Sequence, residues 1–291
     1  MKELVVLSGK GGTGKTSVVA ALAALSEDKV LADCDVDAAD LHLVLRPEVL
    51  RREDFFGGVE PRRNEAACTQ CGRCRELCRF GAVAEDLSIS RLACEGCGVC
   101  AYFCPEGAIE MVPRRCGELM VSATRHGPLV HARVGIAEEA SGKLVTRVRQ
   151  EARRLAEEQG LPLAIADGSP GVGCPVIASL AHASLVLAVT EPTLSARHDL
   201  ERLLGLAAQF KVPSAVCLNK WDLNPELCDE LEGWLAGQGV PLLARLPYEP
   251  RFTEAQMAGC SLVELPGADG GAPAALRGLW ERLSKLLGEG D

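Results

Sequence analysis

Short apolar runs recur along the chain, each closed by a polar or glycine-rich loop and most followed by helical periodicity. Leu4, Val5, Val6 and Leu7 predict a strand that stops at a glycine-rich loop, and residues 17–25 predict the helix beyond it. Residues 30–32 predict a second strand, closing on Asp33. After a long interruption, residues 119–122 and 129–134 predict strands around the turn formers Gly127 and Pro128. Residues 144–158 predict a helix with Leu144, Val148 and Leu155 on one face. Further strands are predicted at 163–166, 185–189 and 215–218. This alternation predicts an α/β fold with a mostly parallel sheet covered by helices on both faces. Functional loops are then expected at the carboxyl ends of the strands.

The interruption, residues 57–113, has a different texture: eight cysteines, many glycines and arginines, and no long periodic segment. The chain therefore reads as one domain of residues 1–56 and 114–291 with a small domain, 57–113, inserted into it, which suits a length of 291 residues. A hydrophobic fraction of 47% is ample for a core. The net charge of -9, from 40 acidic and 31 basic residues, argues against a general nucleic-acid binder, and no nucleic-acid partner is expected. No run reaches the ~18 apolar residues of a transmembrane segment, and the N-terminus lacks signal-peptide anatomy. A cytoplasmic protein is expected, so the 14 cysteines are not expected to form disulfides.

The first loop carries the sharpest chemistry. Gly9-Lys10-Gly11-Gly12-Thr13-Gly14-Lys15-Thr16 matches G-x-x-x-x-G-K-[ST] between a strand and a helix, where a phosphate cradle has to sit. Glycines let backbone N–H groups approach phosphates, and the helix N-terminus adds partial positive charge. Lys15 is predicted to meet the β- and γ-phosphates of ATP, Thr16 to ligate Mg²⁺, and Ser17 to complete the nucleotide site.

With Lys10 added, the loop resembles that of the deviant Walker ATPases, the MinD/ParA/Mrp and nitrogenase iron protein class, and the resemblance covers the chain outside the insert. It implies a P-loop NTPase fold, Mg²⁺-dependent ATP hydrolysis, and a homodimer on ATP binding or a heterodimer with a related ATPase. Lys10 would reach the partner's phosphates. By the same resemblance Asp35 would polarise the attacking water, Asp33 would support the Mg²⁺ shell, and Asp167 would reach Mg²⁺ through water. Asn219, in Asn219-Lys220-Trp221-Asp222, resembles the base-recognition position, with Pro247 and Tyr248 on the other side of adenine. Glu191-Pro192-Thr193 occupies another strand-end loop, with no role assigned to it.

Within the insert, Cys68, Cys71, Cys74 and Cys78 are spaced C-x-x-C-x-x-C-x-x-x-C, and Cys94, Cys97, Cys100 and Cys104 repeat that spacing before Pro105. Gly81-Ala82-Val83 answers Gly107-Ala108-Ile109, extending the repeat beyond the cysteines. The pattern resembles a bacterial ferredoxin with two [4Fe–4S] clusters, in which each run's fourth cysteine ligates the other cluster. One cluster would then use Cys68, Cys71, Cys74 and Cys104, the other Cys94, Cys97, Cys100 and Cys78. Zinc is the alternative for paired C-x-x-C motifs. Arg79 stands where such runs usually have proline.

Two further features leave alternatives open. Cys174 is either a plain thiol or a ligand of a cluster shared between subunits. A C-terminal stripe of Leu276, Leu279, Trp280, Leu283, Leu286 and Leu287 either docks on the domain or lies on a membrane. The expected function is nucleotide-controlled electron transfer through the two clusters to a redox partner. The alternatives are assembly or delivery of a metallocofactor to a partner protein, and a ParA/MinD-like positioning ATPase.

Overall fold

The first strand of the chain lies inside the sheet, because both its faces are apolar and both are covered. The fold comes from a computed structural model that describes residues 1–135 and 141–288. The strands are β1 (Lys2–Ser8), β2 (Lys29–Asp33), β3 (Glu48–Arg63), β4 (Ile109–Thr124), β5 (Gly127–Val134), β6 (Leu163–Pro170), β7 (Leu185–Thr190), β8 (Ser214–Asn219) and β9 (Leu242–Leu246). Among the described residues they form one sheet, ordered β3-β4-β5-β2-β6-β1-β7-β8-β9. The pairs from β5 through β9 in that order are parallel. A two-residue loop joins β4 to β5, as only an antiparallel hairpin allows.

The helices are α1 (Lys15–Leu25), α2 (Leu41–Leu45), α3 (Arg73–Glu76), α4 (Val99–Tyr102), α5 (Ser141–Gln159), α6 (Cys174–Leu180), α7 (Leu194–Gln209), α8 (Pro225–Gly237), α9 (Arg251–Ala258) and α10 (Gly271–Gly288). The α1 sequence, rich in alanine and valine, is buried from Val18 to Ala23 and joins Leu4, Val6, Leu31 and Ile165 in the main core. The stripe on α10 belongs to this core: Leu276, Leu279 and Leu283 are fully buried, and Trp280 packs against them. Of that stripe, Leu286 is left 37% exposed, so the apolar face is spent on the domain rather than kept for a membrane. No helix among the described residues is long and apolar enough to cross a membrane.

The chain divides into two compact units, one of residues 1–53, 119–133 and 141 onward, the other of residues 54–118 with Val134 and Gly135. These bounds differ from the 57–113 expected for the insert because β3 and β4 are 16-residue strands that carry the chain from one unit into the other. β3 was not predicted. Its residues are mostly exposed, so it lacks the alternation of apolar and polar positions that marks a half-buried strand.

One buried histidine makes the larger unit sensitive to acid. His131 of β5 is 5% exposed, lies 2.8 Å through Nε2 from Ser122 Oγ, and stacks on His42 at 6.4 Å. Burial, with the charges of His42, Arg133 and Arg52, pushes its pKa down to about 4. Because the unfolded chain takes up this proton near pH 6.5, stability present above that value is lost as the pH falls toward 4. Urea unfolding at pH 7.5 and pH 5 should show His131→Gln less stable than wild type at the higher pH but with a flatter pH dependence. Equal pH dependence in both proteins would contradict this account.

Candidate nucleotide site and cysteine cavities

Parallel register brings the acidic residues together. Asp33 of β2 pairs with Asp167 of β6, which also pairs with Val6 of β1, so two carboxylates lie beside the loop that leaves β1. Lys15, at the start of α1, enters between them. Its Nζ lies 2.5 Å from Asp167 Oδ1 and 3.5 Å from Asp35 Oδ2, with the side chain 6% exposed. Burial alone would lower the Lys15 pKa, but the charge and hydrogen bond of Asp167, followed by Asp35 and Asp33, outweigh it and raise the value.

The three carboxylates differ in their surroundings. Asp33 is fully buried; its Oδ1 accepts from the Asp35 N–H at 3.1 Å and its Oδ2 from the Leu41 N–H at 3.3 Å. Burial and the charge of Asp167 hold its pKa well above the usual range. Both its oxygens shape the loop that carries Asp35. Asp167 keeps one buried oxygen, Oδ2, without a protein partner. Asp35 lines the open cavity, and burial is the main cause of its pKa rising to about 6.

That cavity, about 430 Å³, falls in the range of small-ligand sites. Gly11, Gly12, Thr13, Gly14, Lys15, Thr16, Ser17, Asn219 and Tyr248 all line it. Gly12 and Gly14 sit at φ +80° and +90°, and a Cβ on Gly14 would meet Asn219 Nδ2 at 2.4 Å. Glycine is therefore required there on two counts. Gly9 and Pro247 are not among the lining residues. Gly9 packs instead on Asp199 of α7, where a Cβ would clash at 2.4 Å.

Asn219 also braces the glycine-rich loop: its Nδ2 donates to the Thr13 carbonyl at 2.8 Å and its Oδ1 accepts from the Lys220 N–H at 3.0 Å. Beyond these two bonds the amide has a second N–H and a second oxygen lone pair, in a side chain that lines the cavity. The far wall consists of Tyr248, Glu249, Pro250, Phe252, Thr253 and Gln256, and Gln256 Nε2 donates to Ser17 Oγ at 3.1 Å. Nothing in the sequence singled out α9, whose residues follow no motif.

Lys10 is held within its own chain. Its Nζ lies 2.8 Å from Glu191 Oε1 and donates to Thr193 Oγ1 at 3.2 Å and Ser195 Oγ at 3.3 Å. Glu191 also takes Lys220 Nζ at 2.9 Å, and Lys220 reaches the Gly12 carbonyl at 3.0 Å. Burial would raise the Glu191 pKa, but hydrogen bonds from Lys10 and Lys220 hold it below the usual value. Glu191, which had no assigned role, thus ties both flanks of the phosphate loop.

In the smaller unit the cysteines sort into two cavities. One is lined by Cys68, Cys71, Cys74 and Cys104, the other by Cys94, Cys97, Cys100 and Cys78. Backbone N–H groups reach the crossing cysteines: Ala108 donates to Cys104 Sγ at 3.3 Å and Ala82 to Cys78 Sγ at 3.4 Å. The Gln70 backbone and then Arg63 lower the Cys68 pKa, whereas burial raises that of Cys100. Among the described residues no three His, Cys, Asp or Glu side chains converge so as to hold a single metal ion. The thiols line the walls of cavities instead. Elsewhere, Cys34, Cys116, Cys217 and Cys228 are buried thiols, and Cys174 is exposed at the start of α6.

The chain belongs to the CobQ/CobB/MinD/ParA nucleotide binding domain family, whose family model matches residues 4–262. It is similar to two proteins of Methanocaldococcus jannaschii. Uncharacterized protein MJ0578 is 34% identical over 231 residues, covering 76% of this chain and 79% of the relative. Uncharacterized protein MJ0579 is 25% identical over 269 residues, covering 91% and 92%. In fold it resembles the cell division ATPase MinD of Pyrococcus furiosus, with TM-score 0.59, 20% identity and coverage of 98% and 99%. It also resembles the septum site-determining protein MinD complexed with Mg-ADP from Pyrococcus horikoshii OT3, with TM-score 0.62, 17% identity and coverage of 99% and 98%.

The carboxylate cluster makes a pH-dependent prediction for nucleotide-free protein. Carboxyl-carbon NMR should show a group titrating near pH 6 that disappears in Asp35→Asn. Since the folded pKa lies above the unfolded value, the stability that protonated Asp35 contributes is present below pH 3.8 and is lost as the pH rises to 6. Asp35→Asn should therefore gain stability relative to wild type between about pH 4 and pH 6, with no further change above that. An Asp35 that titrates near 4 would mean that the charge of Lys15 outweighs burial.

Proposed function

We propose that the protein binds and hydrolyses ATP at the α1 loop and holds two [4Fe–4S] clusters in its smaller unit. Nucleotide state then governs electron transfer through the clusters to a redox partner. The observation that carries the reading is the division of eight cysteines between two cavities, four to each, with Cys78 and Cys104 exchanged between the runs. This exchange is what two-cluster ferredoxin spacing requires. Thiols spread along cavity walls suit a cage of iron and sulfur better than one zinc ion, whose four ligands converge on a point.

The residues present fit the groups proposed. Lys15 would neutralise the β- and γ-phosphates, exchanging its carboxylate partners for them. Thr16 would ligate Mg²⁺, and the unpartnered oxygen of Asp167 suits a metal-bound water. Asp35, ionised above pH 6, would orient the attacking water. Tyr248 and the α9 wall would enclose the base. When bound, Mg²⁺ supplies charge neutralisation and the clusters supply one-electron chemistry. Lys10 would act across an ATP-bound dimer, which requires its release from Glu191. The partner ATPase is a second copy of this chain or a related one. The MinD structures similar in fold favour a second reading, a positioning ATPase in which the clusters act only as sensors.

Lys15→Ala should abolish ATP binding, and Asp35→Ala should bind ATP but hydrolyse it slowly. In anaerobic EPR titrations of Asp35→Ala, ATP with Mg²⁺ should shift at least one cluster potential by ~60 mV, about tenfold in equilibrium constant for one electron. Wild-type turnover by Asp35→Ala would remove that residue from catalysis. Unchanged potentials in a variant that dimerises on ATP would favour the positioning reading.

A further inference from the structure

We infer that Arg63 makes the two cluster sites unequal, poising the site of Cys68, Cys71, Cys74 and Cys104 at the higher reduction potential. The inference rests on the cluster reading above. The two sites come from a sequence repeat, and their backbone hydrogen bonds to sulfur match: Ala108 to Cys104 at 3.3 Å in one, Ala82 to Cys78 at 3.4 Å in the other. These two donors favour neither site over the other, and a further backbone N–H reaches sulfur in each, Gln70 to Cys68 in the first and Ala101 to Cys100 in the second.

Arg63 lies outside the repeat, at the end of β3. Its Nη1 donates to Cys68 Sγ at 3.8 Å, and its side chain, 17% exposed, lines the first cavity. Glu65, its carboxylate neighbour at 3.6 Å, is 85% exposed, so water screens that pair and leaves the guanidinium charge directed at sulfur. Arg73 and Glu106 line the first cavity and Glu95 the second, where the Arg114 guanidinium donates to the Cys94 backbone carbonyl at 2.9 Å. Arg79 lies 4.7 Å from the centroid of Phe80, and it is Phe80 that lines the second cavity.

A cluster held by four thiolates gains negative charge on reduction. A cation bonded to one of those sulfurs stabilises the reduced form more than the oxidised form and raises the potential. Arg63 is thus a positioning residue for charge, acting through Cys68, and its effect is visible in a potential rather than in folding.

The test is an anaerobic EPR redox titration of the holoprotein, with iron and sulfide measured on each sample, for wild type, Arg63→Gln, Arg63→Lys and Arg79→Gln. Two separated potentials are expected in wild type. Arg63→Gln should lower the higher one by about tenfold in equilibrium constant, ~59 mV for one electron, and leave the lower one in place. Arg63→Lys should fall between, and Arg79→Gln should leave the higher potential unmoved. Coincident wild-type potentials, an unmoved higher potential in Arg63→Gln, or movement of the lower one instead would overturn the inference. If Arg63→Gln loses its iron, Arg63→Lys decides, and a higher potential equal to that of wild type overturns it. Wild-type protein without iron and sulfide would instead defeat the cluster reading itself.

Discussion

Lys15 is set among three carboxylates, Asp33, Asp35 and Asp167, and the carboxyl end of the sheet is organised by that imbalance. Parallel pairing forces Asp33 and Asp167 side by side, and burying like charges is unfavourable unless one is neutralised or a cation intervenes. Lys15 reaches them because α1 begins where β1 ends, which the glycine conformations of the loop permit. Asp33 relieves the remaining repulsion by its raised pKa, and its two backbone hydrogen bonds shape the loop that presents Asp35. Lys15 is thereby tied to Asp167 and Asp35 within the chain. On the proposed function, phosphates would compete for the same lysine, and their binding would free Asp35 and Asp167 for water and metal.

A second layer fixes the loop that carries this lysine. Asn219 bonds the Thr13 carbonyl, Lys220 bonds the Gly12 carbonyl, and Glu191 holds Lys220 and Lys10 together. All come from the carboxyl ends of β7 and β8, strands that the sheet order places on one side of β1. The acidic residues come from β2 and β6 on the other side. The site is thus a seam: the glycine-rich loop is strapped from one side and acidic groups are presented from the other, with Lys15 crossing between them.

Much of this seam was legible in the sequence, for identifiable reasons. A buried parallel strand is a short apolar run, and the loop after it carries the chemistry, so β1, β2, β6, β7 and β8 and their terminal residues could be placed. The cysteine sets followed from the resemblance of the repeated spacing to a two-cluster ferredoxin, and the four thiols of each set line one cavity. Several features were not legible. β3 has too little buried surface to impose a period. The role of Glu191 depends on two lysines that meet only in the fold, one of them far along the chain. The bracing role of Asn219 depends on where the Thr13 carbonyl lies, which only the fold shows. The α9 wall is formed by ordinary helical residues whose use follows from where β9 ends.

On the proposed function one chain unites a nucleotide switch with two iron–sulfur clusters, and counting all three groups in one sample tests that union most directly. Protein purified anaerobically and equilibrated with ATP should contain about eight iron and eight sulfide per chain, the content of two four-iron clusters. The same sample should bind one ATP per chain. Stoichiometric zinc without sulfide, in a sample that still binds ATP, would show a zinc protein in place of an iron–sulfur one.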